Sequence, residues 1–101
     1  QAAESQIVLE RTLTEGLKGL EPGRRIMVVF YFHRSAGYEL CQHPRGDRNR
    51  PRRGVFALCS PRRPNPIGVT VVELLDIAGN VLRVRGLDAI SGTPVLDLKP
   101  A

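Results

Sequence analysis

The sequence predicts an all-β domain: a small closed or nearly closed β-barrel with little helix. Short apolar runs of strand length recur between turn signals along the whole chain. Helical patterning is confined to one weak turn. At 101 residues the chain makes a single domain, residues 1–101, and closure removes the edges that so short a sheet would otherwise expose.

The elements follow in order. Residues 6–10 (Gln-Ile-Val-Leu-Glu) form a short strand. Residues 14–20 form a helical turn that Thr14 caps and that Gly16 and Gly19 keep short. Glu21-Pro22-Gly23 is a turn. Residues 25–32, rich in Val, Ile and aromatics, read as a central strand buried on both faces. Residues 38–42 give another strand, 43–53 an Arg/Pro loop, 54–58 a strand and 67–77 a long strand. Ala78-Gly79-Asn80 turns the chain into a hairpin with residues 81–84. Ser91-Gly92-Thr93 is a further turn before a last strand at 95–98.

Composition narrows the function classes. Hydrophobic residues make up 42%, which suits a folded core. The longest apolar run, 26–32, is far short of the roughly 20 residues of a membrane helix. No signal peptide is visible, so Cys41 and Cys59 read as free cytoplasmic thiols rather than a disulfide. No CxxC or HExxH spacing supports a metal site. The formal charge is +5 and unevenly placed: Arg45, Arg48, Arg50, Arg52, Arg53, Arg62 and Arg63 face a single acid in that stretch, Asp47. Such a block is either a solvated loop or a phosphate-binding surface, and the planar fork of arginine suits phosphate.

The most informative run is Cys59-Ser-Pro-Arg-Arg-Pro-Asn-Pro-Ile-Gly68. Pro61, Pro64 and Pro66 fix φ, remove three backbone donors and push the preceding residues towards extended geometry. The result is a stiff loop between strands, shaped before any ligand arrives. No GxGxxG segment runs from a strand into a helix, so the sequence does not support a Rossmann-type cofactor site. On residues alone the chain is a small basic β-barrel, with an OB-like RNA binder as the leading reading.

Three segments then carry a resemblance: Tyr31-Phe-His-Arg-Ser35, Gly54-Val-Phe-Ala57 with Ser60-Pro-Arg-Arg-Pro-Asn-Pro-Ile-Gly68, and Gly92-Thr-Pro-Val-Leu-Asp-Leu-Lys-Pro100. In this order they resemble the TsaA-like (TrmO-type) family over roughly residues 5–101. The resemblance implies a β-barrel methyltransferase that uses S-adenosyl-L-methionine (SAM). It implies N6-methylation of threonylcarbamoyl-adenosine beside the tRNA anticodon, in the cytoplasm, by a homodimer without a membrane. It further implies a strand before Gln1 that supplies part of the cofactor site.

Carried over position by position, the cofactor-binding set is His33, Arg34, Cys59, Val69, Asp88, Ala89, Ile90 and Ser91. His33 and Arg34 also read as a packed strand end, and Val69 equally as core. Two positions depart from the family pattern. Cys59 stands where an arginine is usual, and Ser91 where an aspartate is usual. Asp97 is the catalytic candidate, because N6-methylation releases a proton; with Lys99 it also reads as a structural ion pair. The RNA-binding candidates are the seven arginines named above. The alternative is a non-catalytic SAM- or RNA-binding module, and behind it a structural barrel that binds no SAM.

Overall fold

A computed structural model describes residues 3–88 and 91–101. It is an all-β architecture. Five strands form one antiparallel sheet: β1 (Glu4–Val8), β2 (Arg25–Tyr31), β5 (Ile67–Ala78), β6 (Val81–Arg85) and β7 (Val95–Pro100), in the order β1-β6-β5-β2-β7. A second, two-stranded ladder joins β3 (Cys41–Gln42) to β4 (Arg53–Gly54). No pairing joins β1 to β7 among the described residues, so the barrel does not close there. A groove of about 850 Å³ separates the two edges, with Ile7 and Phe30 at its lining.

The core lies on one face of the sheet. Ile26, Val28 and Phe30 of β2 alternate inward and meet Val72, Leu74, Leu82, Val84 and Ile7 from the neighbouring strands. Leu17 covers this face, aided by half-buried Leu9, Leu20 and Leu87. Leu17 ends a 3-10 helix, Arg11–Leu17, which starts three residues earlier than the sequence predicts. Thr14 is therefore inside the helix, and its Oγ1 donates to the Arg11 carbonyl (2.8 Å) instead of capping.

Strand β2 is central but not buried on both faces. Its outward residues Met27 and Val29 are only half-buried, because no second layer of the described chain covers that side. The β5–β6 hairpin turns at Gly79 (φ 60°), whose freedom at positive φ suits the first central position of a two-residue loop. Asn80 Nδ2 then donates to the Leu9 carbonyl (2.6 Å), tying the hairpin to the end of β1.

The predicted strands at 38–42 and 54–58 shrink to two-residue pairings. After Gly54 the chain curls into a 3-10 turn, Val55–Ala57, closed by the Leu58 amide on the Val55 carbonyl (3.1 Å). The turn buries Val55 and swings Phe56 outward. A longer strand would have needed residues 38–40 as its partner, and these lie outside any strand, so the ladder ends once the Val55 amide has met the Leu40 carbonyl.

Candidate functional site

Phe30 and Phe32 lie two residues apart, so they share the inner face at the end of β2. Their rings meet edge to face, with centroids 5.1 Å apart. Gly68 pairs with Phe30 across β5. A Cβ at Gly68 would stand 2.6 Å from Phe30 Cζ and 2.8 Å from Phe32 Cζ. The invariable consequence of a side chain there is displaced rings. Gly68 thus makes room for the aromatic pair, which walls a pocket of about 410 Å³.

His33, Arg34 and Asp88 come together around this pocket, with Ser35, Pro61, Arg62 and Thr93. The turn after Phe32 is fastened to the proline loop: the Phe32 amide donates to the Pro66 carbonyl (2.7 Å), and Ser35 Oγ to the Pro61 carbonyl (2.9 Å). Two segments distant in sequence are therefore bonded into one wall. No side-chain partner for His33, Arg34 or Asp88 occurs among the described residues, so all three are available to a ligand.

A second cavity, a basic groove of about 1020 Å³, lies against the other side of the proline loop. Pro61 and Arg62 line both cavities. One wall of the groove is the 43–50 loop. His43 Nδ1 is 2.8 Å from the Arg50 carbonyl, the Asn49 amide donates to Asp47 Oδ1 (2.9 Å), and Arg45 takes the left-handed conformation at φ 53°. The other wall runs from Ala57 to Arg62. Gln42 Nε2 staples the two by donating to the carbonyls of Glu39 (2.7 Å) and Arg62 (2.6 Å).

The arginines divide by what holds them. Arg62 pairs with Glu39 (2.9 Å), the carboxylate of the groove. Arg63 Nη1 donates to the carbonyls of Leu58 (2.9 Å) and Ser60 (3.2 Å), clasping the loop onto itself. Arg52 donates to the Cys41 carbonyl (2.9 Å). The guanidinium groups of Arg45, Arg48 and Arg50 line the groove with no protein partner among the described residues. Arg53 sits in β4, outside the groove lining.

The remaining predicted positions are not gathered in one place. Cys59 lines the basic groove, not the aromatic pocket. Val69 lies on the outer face of the sheet, 57% exposed. Ser91 lines the gap between β1 and β7. Ala89 and Ile90 lie outside the described residues. Asp97, opposite Val29 on the outer face, lines neither cavity. Its carboxylate is 3.1 Å from Lys99 Nζ and accepts the Leu98 amide (2.8 Å). The hydrogen bond from Lys99, then that from Leu98, hold its carboxyl below the ordinary range.

Sequence reasoning missed Phe30, Phe32, Ser35, Gly68 and Gln42 as builders of the site. The i, i+2 spacing of the phenylalanines, facing a glycine in the next strand, is a signal that points to the pocket. Nothing local in the sequence marks Gln42.

The structure defines a small antiparallel β domain with an aromatic-walled pocket set against an arginine-lined groove. Comparison with known proteins gives the particular lineage. The chain belongs to the tRNA-methyltransferase O N-terminal domain family, which it matches over residues 1–101. It is similar to the crystal structure of TrmO from Pseudomonas aeruginosa, with TM-score 0.77 and 34% identity, covering 98% of this chain and 42% of that one. A probable S-adenosyl-L-methionine-binding protein of Pyrococcus abyssi is 44% identical over 87 residues, 86% of this chain and 46% of the relative. The human tRNA (adenine(37)-N6)-methyltransferase is 42% identical over 88 residues, 83% of this chain and 19% of the relative. The chain thus spans less than half the length of each of these three proteins.

Proposed function

We propose that this domain is the SAM-binding part of a tRNA methyltransferase, with the cofactor in the aromatic pocket and the RNA in the basic groove. The observation that carries the reading is the shared wall: Pro61 and Arg62 separate the two cavities by the thickness of one loop. A methyl donor on one side and an acceptor on the other need that proximity.

The residues present suit the cofactor. A pocket of about 410 Å³ with aromatic walls accepts a flat base or a cation against a ring face. Arg34 offers a fork to a carboxylate, and Asp88 an acceptor to a ribose hydroxyl or an ammonium. When bound, SAM supplies a methyl group already carried on a good leaving group. The protein's own share is to position the reactants and exclude water, which fits a site without a nucleophile. Asp88 and Glu39 line the two cavities and are placed to accept the proton that N6 loses. Asp97 lines neither cavity and is given no role in the transfer; the second reading is a binding module without transfer.

The finer substrate is N6 of threonylcarbamoyl-adenosine in the anticodon loop, and the place of action is the cytoplasm. A homodimer fits the outer sheet face, where Ile67, Val69 and Val71 of β5 and Leu96 of β7 are exposed together. Methyl transfer from labelled SAM to tRNA, followed by mass spectrometry of the nucleosides, tests the function. The modified adenosine should gain one methyl group, and Arg34→Ala and Asp88→Ala should each weaken SAM binding in calorimetry. SAM binding without transfer selects the binding module; absence of both removes the reading.

A further inference from the structure

Phe56 has no place in the functions assigned so far. It is 79% exposed, the highest value among the exposed large hydrophobic residues described. The 3-10 turn explains how: Val55 goes in at 1% exposure, and the next side chain must point out. Leu40, whose carbonyl accepts the Val55 amide (2.8 Å), is itself 62% exposed beside it. Leaving an aromatic ring in water forgoes the burial that usually holds a phenylalanine in a fold. The ring is nonetheless held in place. Arg63, fixed by the carbonyls of Leu58 and Ser60, sets its guanidinium carbon 6.0 Å from the ring centroid.

The surroundings say what the ring meets. The residue after Phe56, Ala57, already lines the basic groove, where Arg45, Arg48 and Arg50 are unpaired among the described residues. A flat apolar surface beside free guanidinium groups matches a ligand that alternates flat rings with phosphates. Single-stranded nucleic acid has that chemistry; a duplex hides its rings. A membrane surface lacks the flat rings, and a protein partner would need acidic groups spaced to the arginines.

We propose that Phe56 is a stacking platform for an unpaired RNA base, next to the base presented to the pocket, while Arg45, Arg48 and Arg50 hold the adjoining phosphates. This rests on the RNA reading above and adds a contact to it. The platform reads the single-stranded state of the RNA rather than its sequence, since every base has a π face. It therefore selects loops over stems.

The chain contains no tryptophan, so Phe56→Trp introduces a single fluorescent reporter at the platform. Titration with a hairpin RNA should quench it, and a blunt duplex of the same stem should not. Phe56→Ala should weaken hairpin binding by roughly 10- to 100-fold, the range of one lost base stack. Phe56→Leu should do nearly the same, because it keeps apolar area but loses the ring. The slope of affinity against salt should stay unchanged in both, since no phosphate contact is removed. Equal hairpin affinity for the parent and Phe56→Ala overturns the platform and leaves the RNA reading standing. Equal binding of hairpin and duplex also overturns it. A parent chain that binds no RNA overturns both. A change of mass in sedimentation on Phe56→Ala makes the ring a protein contact and overturns the proposal.

Discussion

The five-stranded sheet and the arm that carries β3 and β4 are built on opposite principles. The sheet is held by apolar burial: Ile26, Val28, Val72, Leu74, Leu82 and Val84 are almost wholly enclosed, and the ladders run for five to seven residues. The arm has two-residue ladders and buries only Val55 and Pro44 among its described residues. Its shape comes from proline geometry and from side chains bonded to backbone carbonyls: Gln42 on Glu39 and Arg62, Arg52 on Cys41, Arg63 on Leu58 and Ser60. Burial energy is non-directional, whereas hydrogen bonds fix geometry at little net gain. The difference teaches that the basic groove takes its shape apart from the core, whereas the aromatic pocket shares Phe30 with it. The sheet can lose function without unfolding, and the arm can lose shape without melting the sheet.

The sharpest break of that division is Leu74→Ala. Leu74 has 0% exposure at the centre of the core. The loss should be about 2–5 kcal/mol in denaturant unfolding, from transfer plus cavity terms. A loss well under 1 kcal/mol would mean that the sheet collapses around the cavity and is not close-packed.

Gly68→Ala sits where the two regions join. The added Cβ meets the tips of both phenylalanine rings below 3 Å, so the rings must shift to admit it. Overpacking of this kind should cost about 1–3 kcal/mol. Pocket geometry should suffer more than stability, so SAM affinity should fall further in Gly68→Ala than in Leu74→Ala at a temperature where both are folded. Phe32→Leu in the Gly68→Ala background should recover part of the stability. Unaltered SAM affinity in Gly68→Ala would detach the aromatic pocket from the cofactor.

Gln42→Ala probes the arm alone. It removes donations to two carbonyls, each worth about 0.5–1.5 kcal/mol at most for such exposed groups. Global unfolding should barely change. Hydrogen exchange should quicken in residues 39–63 and stay protected in β5 and β6. Equal acceleration in both regions would show that the arm and sheet open as one unit.

The same division decided what the sequence revealed. Apolar runs between turn signals placed β2, β5, β6 and β7 and the hairpin at Gly79, because strands that bury a face collect apolar residues. The continuous run at 26–32 implied burial of β2 on both faces, whereas its outward residues Met27 and Val29 are only half-buried, so apolar composition alone does not show whether the outer face is covered. The arm strands were overdrawn at 38–42 and 54–58 for a related reason: Val55, Phe56 and Leu58 have strand composition, but a long-range partner was lacking. Loop stiffness was legible from three prolines. The pocket's assembly from residues 30–35, 61–62 and 88 was not, because convergence of distant segments has no local signal. The position of Asp97 shows the limit: its motif marks a strand, while the face it occupies depends on the bulge at Val29/Phe30.

Asp97 gives the smallest effect and the finest test of the comparison. Its pair with Lys99 is solvent-exposed on the outer face, where ion pairs contribute little. Because the folded carboxyl titrates below its unfolded counterpart, its contribution is present above the unfolded value and is lost as the pH falls through the folded one. Asp97→Asn should therefore lower the unfolding midpoint slightly at neutral pH, and the gap to the parent should close in acid. Glu4, held low chiefly by its hydrogen bond to Arg83, titrates in the same direction in both proteins and cancels from the difference. SAM affinity and methyl transfer should be unchanged, since Asp97 lines neither cavity. If transfer is lost while SAM still binds and the fold is intact, Asp97 acts on the substrate. The outer face of the sheet would then belong to the reaction, reached by a second copy of the chain, and the separation of a stabilising sheet from a functional arm would fail at that point.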